Sequence, residues 1–365
     1  MKQSEIAQLI RDQIVSSSLT PGARLPTRLE LEQRFGSSSV TIQRALDQLS
    51  AEGFVEAHGR RGTFVSDAPP HLHRYGLVFA SRPAAGGAWN RWWQTLVHVA
   101  QDLQARSGKQ IKLFYDVDPR LSGSAEYQAL EEAVTSQTVA GLIFACHPYI
   151  FVNTPVLDFP GVPRMAFTGE PFRSDMAAFQ FNNQAYQDKA FDYFLRRGRK
   201  RLAVLGQPMS DRLDLAWTVA AQKRGLETRP AWTLAVPLND AHWAQNVVML
   251  LMSLPPSERP DALLIKDDNL TEQALYGLRD SGVRVGEDLD VIAHANFPVQ
   301  APLILPAKRL GWDSREILRL GMAYIDAHRR KESAPDRYLL DAWFEEELAE
   351  PLFTSPPWPA ARVHA

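Results

Sequence analysis

Residues 21–65 constrain what this chain can fold into more than any other segment. Their first half carries the start and stop signals of a short helix. Thr27 is suited to cap that helix, and Glu30, three residues later, completes a capping box. Gly36 ends the helix, because glycine adopts the left-handed conformation that commonly follows one. The apolar residues expected on its buried side are Leu29, Leu31 and Phe35.

A second helix and a hairpin follow in the same segment. One of the serines at 37–39 is expected to cap a helix that Gly53 ends. Its apolar residues recur at helical spacing, and they are Val40, Ile42, Ala45, Leu46 and Leu49. Residues 54–55 and 63–65 are typical of two short strands around a Gly-Arg-Arg-Gly tip. With an earlier amphipathic helix at about 4–15, this layout predicts a winged helix-turn-helix, a fold that fits the DNA major groove.

The candidate DNA-contacting residues fall into two chemical groups. The first residues of a groove-reading helix reach base edges, where hydroxyls bind several bases and glutamine can pair with adenine. Arginines suit phosphates or, in the wing, the minor groove. The candidates are Arg28, Ser38, Ser39, Thr41, Gln43, Arg44, His58, Gly59, Arg60 and Arg61. The alternative for Arg28 and Arg44 is that they are solvated surface charges.

Net charge does not carry this prediction. Up to Ser66 the chain has eight Lys or Arg and seven Asp or Glu, and the whole chain has a net charge of −2. A strongly basic domain is the usual sign of nucleic-acid binding, and it is absent. The weak charge favours specific docking of a dimer over bulk electrostatic attraction as the source of affinity.

Several short motifs connect this head to a known family. They are Pro21-Gly22-x-x-Leu25-Pro26, Thr41-Ile42-x-x-Ala45-Leu46, Leu49, Glu52-Gly53 and Gly62-Thr63-Phe64-Val65. On these motifs, residues 1–66 resemble the GntR family of bacterial transcription regulators. That family often has arginine where Leu29, Ser39 and Gln43 stand. The resemblance therefore implies the fold of the head but not the family's usual operator sequence.

Composition sets the broad class of the chain. Its 365 residues suffice for two or three domains, and 45% hydrophobic with 22% charged residues is typical of a globular protein. The sequence has no apolar run long enough to span a membrane and no signal-peptide core, so we expect a cytoplasmic protein without a membrane partner. The one cysteine, Cys146, is expected to be buried and inert. The nine histidines show no metal-ligand spacing, so no metal is expected.

After the head the pattern changes to alternating strands and helices. Residues 67–73 are interpreted as a linker, which Pro69-Pro70 should hold extended rather than helical. Short apolar runs such as 75–80, 140–145, 201–206 and 261–265 then alternate with helical patterns, which favours parallel sheets covered by helices. About 275 residues exceed one core, so we expect two α/β lobes with a ligand cleft at the carboxyl ends of the strands.

Three segments of this part carry a second resemblance. They are Glu126-Tyr127 through Phe144, Asn182-Asn183 through Gly206, and Arg259-Pro260-Asp261-Ala262 through Ile292. On these segments the chain resembles the effector domain of LacI/GalR regulators and, more distantly, periplasmic sugar-binding proteins. The resemblance implies a two-lobed periplasmic-binding-protein-like domain at 74–350. Lobe 1 would cover about 74–176 plus 307–331 and lobe 2 about 177–306 plus 332–350, followed by a Pro-rich tail at 351–365.

The resemblance also implies ligand contacts at strand ends. The candidates are Ser81, Arg82, Trp89, His147, Arg212, Asp214, Asp267, Asp268 and Asn296. Sugar sensors of the family typically carry arginine at the position of Asp214 and glycine at that of Trp217. Each candidate has the alternative of being a surface or helix-capping group. Trp89 also falls at helical spacing with Trp92, Trp93, Leu96, Ala100 and Leu103, which favours a buried or dimer-facing stripe.

Two classes of function follow. The first is a ligand-responsive transcription regulator, expected to act as a repressor and as a homodimer on a palindromic operator, with a carbohydrate effector implied by the resemblance. The alternative is an enzyme, such as an aminotransferase, fused to a DNA-binding head. Only Lys266 lies at a strand end as a Schiff-base candidate, and no GxSxG, Walker or Rossmann fingerprint occurs. We therefore expect no catalytic residue and no cofactor.

Overall fold

The computed structural model describes residues 1–82, 90–120, 124–208, 211–300 and 302–349, with the backbone alone for 211–215. The Pro-rich tail, Trp89 and the side chains of Arg212 and Asp214 lie outside the described part. The chain divides into two compact units. Unit 1 comprises Met1–Arg82, Ala100–Phe179 and Arg319–Tyr338, and unit 2 comprises Pro83–Val99, Gln180–Leu318 and Leu339–Ala365.

Helices and strands alternate after the head, as the sequence pattern predicts. The helices are α1 Gln3–Val15, α2 Arg28–Phe35, α3 Ser39–Glu52, α4 Pro70–His73, α5 Arg91–Ser107, α6 Ala125–Thr135, α7 Pro155–Asp158, α8 Asn183–Arg196, α9 Asp211–Lys223, α10 Trp243–Met252, α11 Asp268–Asp280 and α12 Ser314–Arg329. The strands are β1 Val55–Ala57, β2 Thr63–Val65, β3 Arg74–Val78, β4 Gln110–Phe114, β5 Gly141–Phe144, β6 Arg164–Phe167, β7 Met176–Phe181, β8 Leu202–Gly206, β9 Thr233–Ala235, β10 Ala262–Ile265, β11 Asp290–Phe297, β12 Lys308–Asp313, β13 Arg337–Leu340 and β14 Trp343–Phe344.

The head is the winged helix-turn-helix that the sequence predicts. Helices α1, α2 and α3 pack on a small core, and β1 pairs antiparallel with β2 in the register Val55 to Val65. The core includes Ile6, Ile10, Ile14, Leu31, Ile42, Leu46, Leu49, Phe54, Val55 and Val65. These residues come from every element of the head, so the wing and the helices form one folded body.

The capping signals act as predicted. The Thr27 hydroxyl accepts from the Glu30 N–H at 3.4 Å, and the Glu30 carboxylate accepts from the Thr27 N–H at 2.6 Å. The Thr27 N–H and hydroxyl both donate to the Glu30 carboxylate and hold its pKa below the usual value. Gly36 ends α2 with a left-handed φ of 58°, and Ser38 caps α3 by accepting from the Thr41 N–H at 3.3 Å. The start of α3 is thus determined locally.

The prediction of an extended linker is wrong. Residues Pro70–His73 form the one-turn helix α4, with Pro70 as its first residue. Proline is compatible with that position, because its fixed φ suits a helix and the N–H it lacks would have no helical partner there. The His71 ring stacks on Phe54 at 5.8 Å and is only 2% exposed. The linker therefore packs on the head rather than spanning an extended gap.

Two six-stranded sheets follow the head. The first has the order β13-β7-β6-β5-β3-β4, and its strands β3 to β7 pair parallel. The second has the order β14-β12-β11-β10-β8-β9, and it is parallel except for the edge strand β14. Parallel strands are buried on both faces, as the strand pattern of four consecutive buried residues in β5 and β10 indicates.

The chain passes from one sheet to the other later than predicted. Strand β7 reaches residue 181 in the first sheet, although the second lobe was expected to begin at 177. Strand β12 belongs to the second sheet and β13 to the first, the reverse of the predicted assignment. Strand pairing depends on contacts between residues far apart in the chain, so a local sequence pattern does not show which sheet a strand joins.

Candidate functional site

The candidate DNA-contacting surface of the head is built on one side of α3. Ile42, Ala45, Leu46 and Leu49 form the buried side of this helix. Val40, Gln43, Arg44 and Asp47 are exposed and recur at i, i+3, i+4 and i+7, so they share the opposite side. Amphipathic spacing therefore sets which side chains of α3 are available to a partner.

The hydroxyls at the start of α3 are partly occupied by the cap. Ser38 Oγ lies 2.9 Å from Thr41 Oγ1 and also accepts from the Thr41 backbone. Ser38 is exposed, whereas Ser39 and Thr41 are half-buried. Since a hydroxyl oxygen has two lone pairs and a proton, the cap leaves Ser38 able to make a further hydrogen bond.

A polar chain joins α2 to α3 across the turn. Arg28 Nη1 donates to Gln43 Oε1 at 3.4 Å, and Gln43 Nε2 donates to Asp47 Oδ1 at 2.8 Å. Arg28 also lies 3.8 Å from Glu32 on its own helix. These contacts hold the Gln43 amide in one orientation on the exposed side of α3.

Sequence reasoning missed two apolar residues of this surface. Leu29 was expected on the buried side of α2, yet its side chain is 64% exposed, and Val40 at the start of α3 is 61% exposed. Both are the second residue of their helix. Leu31 is the sole fully buried residue of α2, and no local sequence pattern distinguishes it from Leu29.

The wing tip is a tight, positively charged turn. Residues Gly59–Arg61 form a single 3-10 turn, and Arg60 and Arg61 are exposed. His58 packs on Phe64 at 5.2 Å and its Nδ1 lies 3.4 Å from Arg61 Nη2. Gly59 has a φ of 58°, a conformation that glycine adopts without strain. The wing thus presents two guanidinium groups on a short rigid support.

The candidate effector residues of unit 1 have local partners. The Arg82 guanidinium contacts Asp116 and lies 2.6 Å from Glu126. The His147 ring accepts from the Tyr149 N–H at 3.2 Å through Nδ1 and meets the edge of Phe172 at 4.9 Å. Ser81 is half-buried. These contacts favour the surface and capping alternatives for Arg82 and His147.

In unit 2 the structure brings Asp268 and Asn296 together. Asn296 Nδ2 donates to Asp268 Oδ2 at 2.9 Å, and burial raises the pKa of Asp268. Asp267 caps α11 by accepting from the Asn269 N–H at 2.9 Å. A cavity of about 10 Å³ lies beside Asp268 and has room for about one water molecule. This cavity is too small for a sugar ring.

A cluster of buried rings near these residues was not predicted. Tyr186 stacks on Trp312 with centroids 5.1 Å apart, and His294 lies 5.0 Å from Trp312 and 5.9 Å from Tyr186. We call Tyr186, His294 and Trp312 the ring cluster. Among the described residues, Tyr186 Oη, His294 Nδ1 and Trp312 Nε1 have no hydrogen-bond partner, and neither has Thr271 Oγ1. His294 within the mostly apolar strand β11 was the available signal.

Three other residues singled out by the sequence have structural surroundings. Lys266 Nζ lies 4.5 Å from the Trp217 ring centroid, a cation–π contact that does not resemble a cofactor cradle. Trp92 meets Phe181 edge-on at 6.0 Å. Cys146 is half-buried rather than fully buried, and burial raises the pKa of its thiol to about 11, so it is a poor nucleophile.

None of the helices in the described ranges has the length and hydropathy of a membrane span.

Two family models match this chain. Residues 2–65 match the bacterial regulatory proteins of the gntR family, and residues 191–307 match the periplasmic binding protein-like domain. The head of the chain is thus a GntR helix-turn-helix domain, and a periplasmic-binding-protein-like domain follows it. Both resemblances inferred from sequence motifs are confirmed.

Relatives and solved structures are similar to different parts of the chain. The mannosyl-D-glycerate transport/metabolism system repressor MngR of Escherichia coli is 41% identical over the head, which is 17% of this chain and 26% of MngR. The arabinose metabolism transcriptional repressor of Halalkalibacterium halodurans is 22% identical over 91% of this chain and 92% of its own length. A LacI family transcriptional regulator from Lactobacillus casei, solved with bound glucose, is 19% identical, with a TM-score of 0.53 over 74% of this chain and 97% of that one.

Proposed function

We propose that this protein is a transcription repressor whose affinity for an operator is changed by a carbohydrate. One observation carries the proposal: a groove-reading head and a periplasmic-binding-protein-like domain occur in a single chain. The arabinose repressor of H. halodurans aligns with this chain over 92% of its own length. The L. casei regulator was solved with bound glucose. The proposed site of action is the cytoplasm, where the operator is accessible.

The DNA-reading step rests on the exposed side of α3 and on the wing. Gln43 and Arg44 would contact base edges and phosphates, and Arg60 and Arg61 would contact phosphates or the minor groove. Because one head covers a single half-site, we propose a homodimer on a palindromic operator. The relatives described above are transcription regulators by name, so nothing favours the enzyme alternative.

The DNA part is tested by selecting duplexes from a random pool with the full-length protein. We expect enrichment of a palindrome, and light scattering should show two chains per selected duplex. Gln43→Ala should lower the preference for the selected sequence, whereas Gln184→Ala, at an exposed position of α8, should not. Failure of the wild-type chain to enrich any sequence would contradict the proposal.

The ligand part is tested by thermal shift with arabinose, glucose and sucrose as probes. A ligand that binds only the folded state raises the free energy of unfolding by about 2.7 kcal/mol at one hundred times its Kd. Operator affinity is then measured with and without that ligand, because coupling requires different affinities for the two states of the protein. A sugar that binds without changing operator affinity would disprove the coupling and leave DNA binding intact.

A further inference from the structure

We propose that Val40 and Leu29 read thymine methyl groups, so that the operator half-site carries A·T pairs at the positions they contact. The inference rests on the proposed function and adds the kind of base that this head selects. Both side chains are branched aliphatics, more than 60% exposed, on the first turns of α2 and α3. The other large apolar residues of these two helices are wholly or partly buried in the core of the head.

The position of Val40 on α3 directs it at base edges. It lies one turn before Gln43 and Arg44 on the exposed side of the helix. A helix that enters the major groove places its N-terminal residues against the bases. In that groove only an A·T pair presents a methyl group, and an aliphatic side chain binds that methyl by apolar contact.

Gln43 favours the same base pair. Its amide has two N–H donors and two acceptor lone pairs, of which Asp47 takes one donor and Arg28 one lone pair. One donor and one acceptor remain for a ligand. Adenine offers the complementary acceptor N7 and donor N6. The Gln43 amide and the neighbouring Val40 therefore both favour A·T base pairs.

The surroundings of the two side chains favour DNA over a protein partner. Leu29 directly follows Arg28 in the chain, and on α3 Val40 lies two residues after the exposed Ser38 and four before the exposed Arg44. Cations and hydroxyls near small apolar groups match the phosphates and base edges of a groove.

The test replaces thymidine by deoxyuridine in the selected duplex. Deoxyuridine pairs as thymidine does but lacks the 5-methyl group. We measure the affinity of the full-length protein for duplexes with one replacement at a time, at fixed salt. For the wild-type chain we expect binding about fourfold weaker at the positions that Val40 and Leu29 contact, the effect of losing one buried methyl.

Two variants assign the effect and a third controls it. Val40→Ser should remove the sensitivity to deoxyuridine at one position, and Leu29→Ser at another. Leu9→Ser, which changes a 41% exposed leucine on α1, should keep the full wild-type pattern. Circular dichroism and thermal melting establish that each variant is folded. For each variant we compare its affinity for the thymidine duplex with its affinity for the deoxyuridine duplex. That ratio does not change when a substitution weakens binding to both duplexes equally.

The outcomes separate this inference from the proposed function. A selected duplex whose affinity is insensitive to deoxyuridine at every position overturns the inference and leaves the regulator intact. Sensitivity that persists in both Val40→Ser and Leu29→Ser overturns the assignment to these residues. If the protein selects no sequence, the proposed function fails and the inference fails with it.

Discussion

Tyr186 is buried in unit 2, and its hydroxyl has no hydrogen-bond partner among the described residues. A buried hydroxyl without a partner lowers the stability of the free protein. His294 Nδ1 and Trp312 Nε1 share this condition in the ring cluster. The ring cluster thus contains three buried polar atoms that lower the stability of the fold.

Tyr186→Phe therefore should raise the free energy of unfolding, by about 1 kcal/mol, because it removes an unsatisfied buried group. The measurement is urea unfolding. The matched control is Tyr75→Phe, since the buried Tyr75 hydroxyl donates to Asp326 at 2.5 Å and accepts from Lys109 at 2.8 Å, so its loss should not stabilise the fold. A destabilised Tyr186→Phe would show that the hydroxyl is satisfied in solution.

At the scale of elements, the short helix α4 connects the head to the first sheet within unit 1. Its His71 ring stacks on Phe54, and Nδ1 is buried without a hydrogen-bond partner among the described residues. Burial lowers the pKa of His71 to about 4, and the positive charge of Arg329 and of His73 acts in the same direction. The packing of α4 on the head thus depends on a neutral imidazole.

This predicts a pH dependence of stability between about 4 and 6.5. In that window the unfolded chain binds a proton at His71 and the folded chain does not. The free energy of unfolding therefore rises as the pH is raised from about 4 to 6.5. Above pH 6.5 His71 is neutral in both states and contributes no further pH dependence. Melting temperature should therefore fall as the pH is lowered from 6.5 to 4.5. His71→Phe should reduce that slope, whereas His242→Phe, at an exposed histidine, should leave it unchanged. Equal slopes in all three proteins would contradict the prediction.

At the scale of the whole molecule, a chain with a net charge of −2 has to bind a polyanion. The proposed phosphate contacts therefore need local positive charge, and the exposed wing residues Arg60 and Arg61 are the source that we propose. Neutralising one phosphate contributes a slope of about −0.9 to the dependence of log affinity on log salt concentration for duplex DNA.

Arg60→Ala is expected to reduce the magnitude of that salt slope by about 0.9 for each wing bound, with little change in sequence preference. Lys200→Ala, at an exposed position of unit 2, removes the same charge without an effect on the slope. Affinity is measured by fluorescence anisotropy on the selected duplex over a range of salt. An unchanged slope for Arg60→Ala would place the wing away from phosphates.

The sequence predicted more of the structure of the head than of the ring cluster in unit 2. The caps at Thr27 and Ser38 and the helix ends at Gly36 and Gly53 depend on residues three or four apart, so the sequence pattern contains them. The ring cluster joins residue 186 to residues 294 and 312, and no local pattern relates positions so distant in the chain. The outward direction of Leu29 likewise depends on which side of a two-turn helix meets α3.

The sequence by itself determined the elements of the head and the alternation of strands and helices after it, because caps, turns and periodicity are short-range properties of the chain. Only the tertiary structure decided which sheet receives β12 and β13, why Pro70 begins a helix, and which polar groups are buried without partners. The physical reason is that burial and strand pairing depend on contacts between residues far apart in sequence. Those contacts form only when the whole chain has folded.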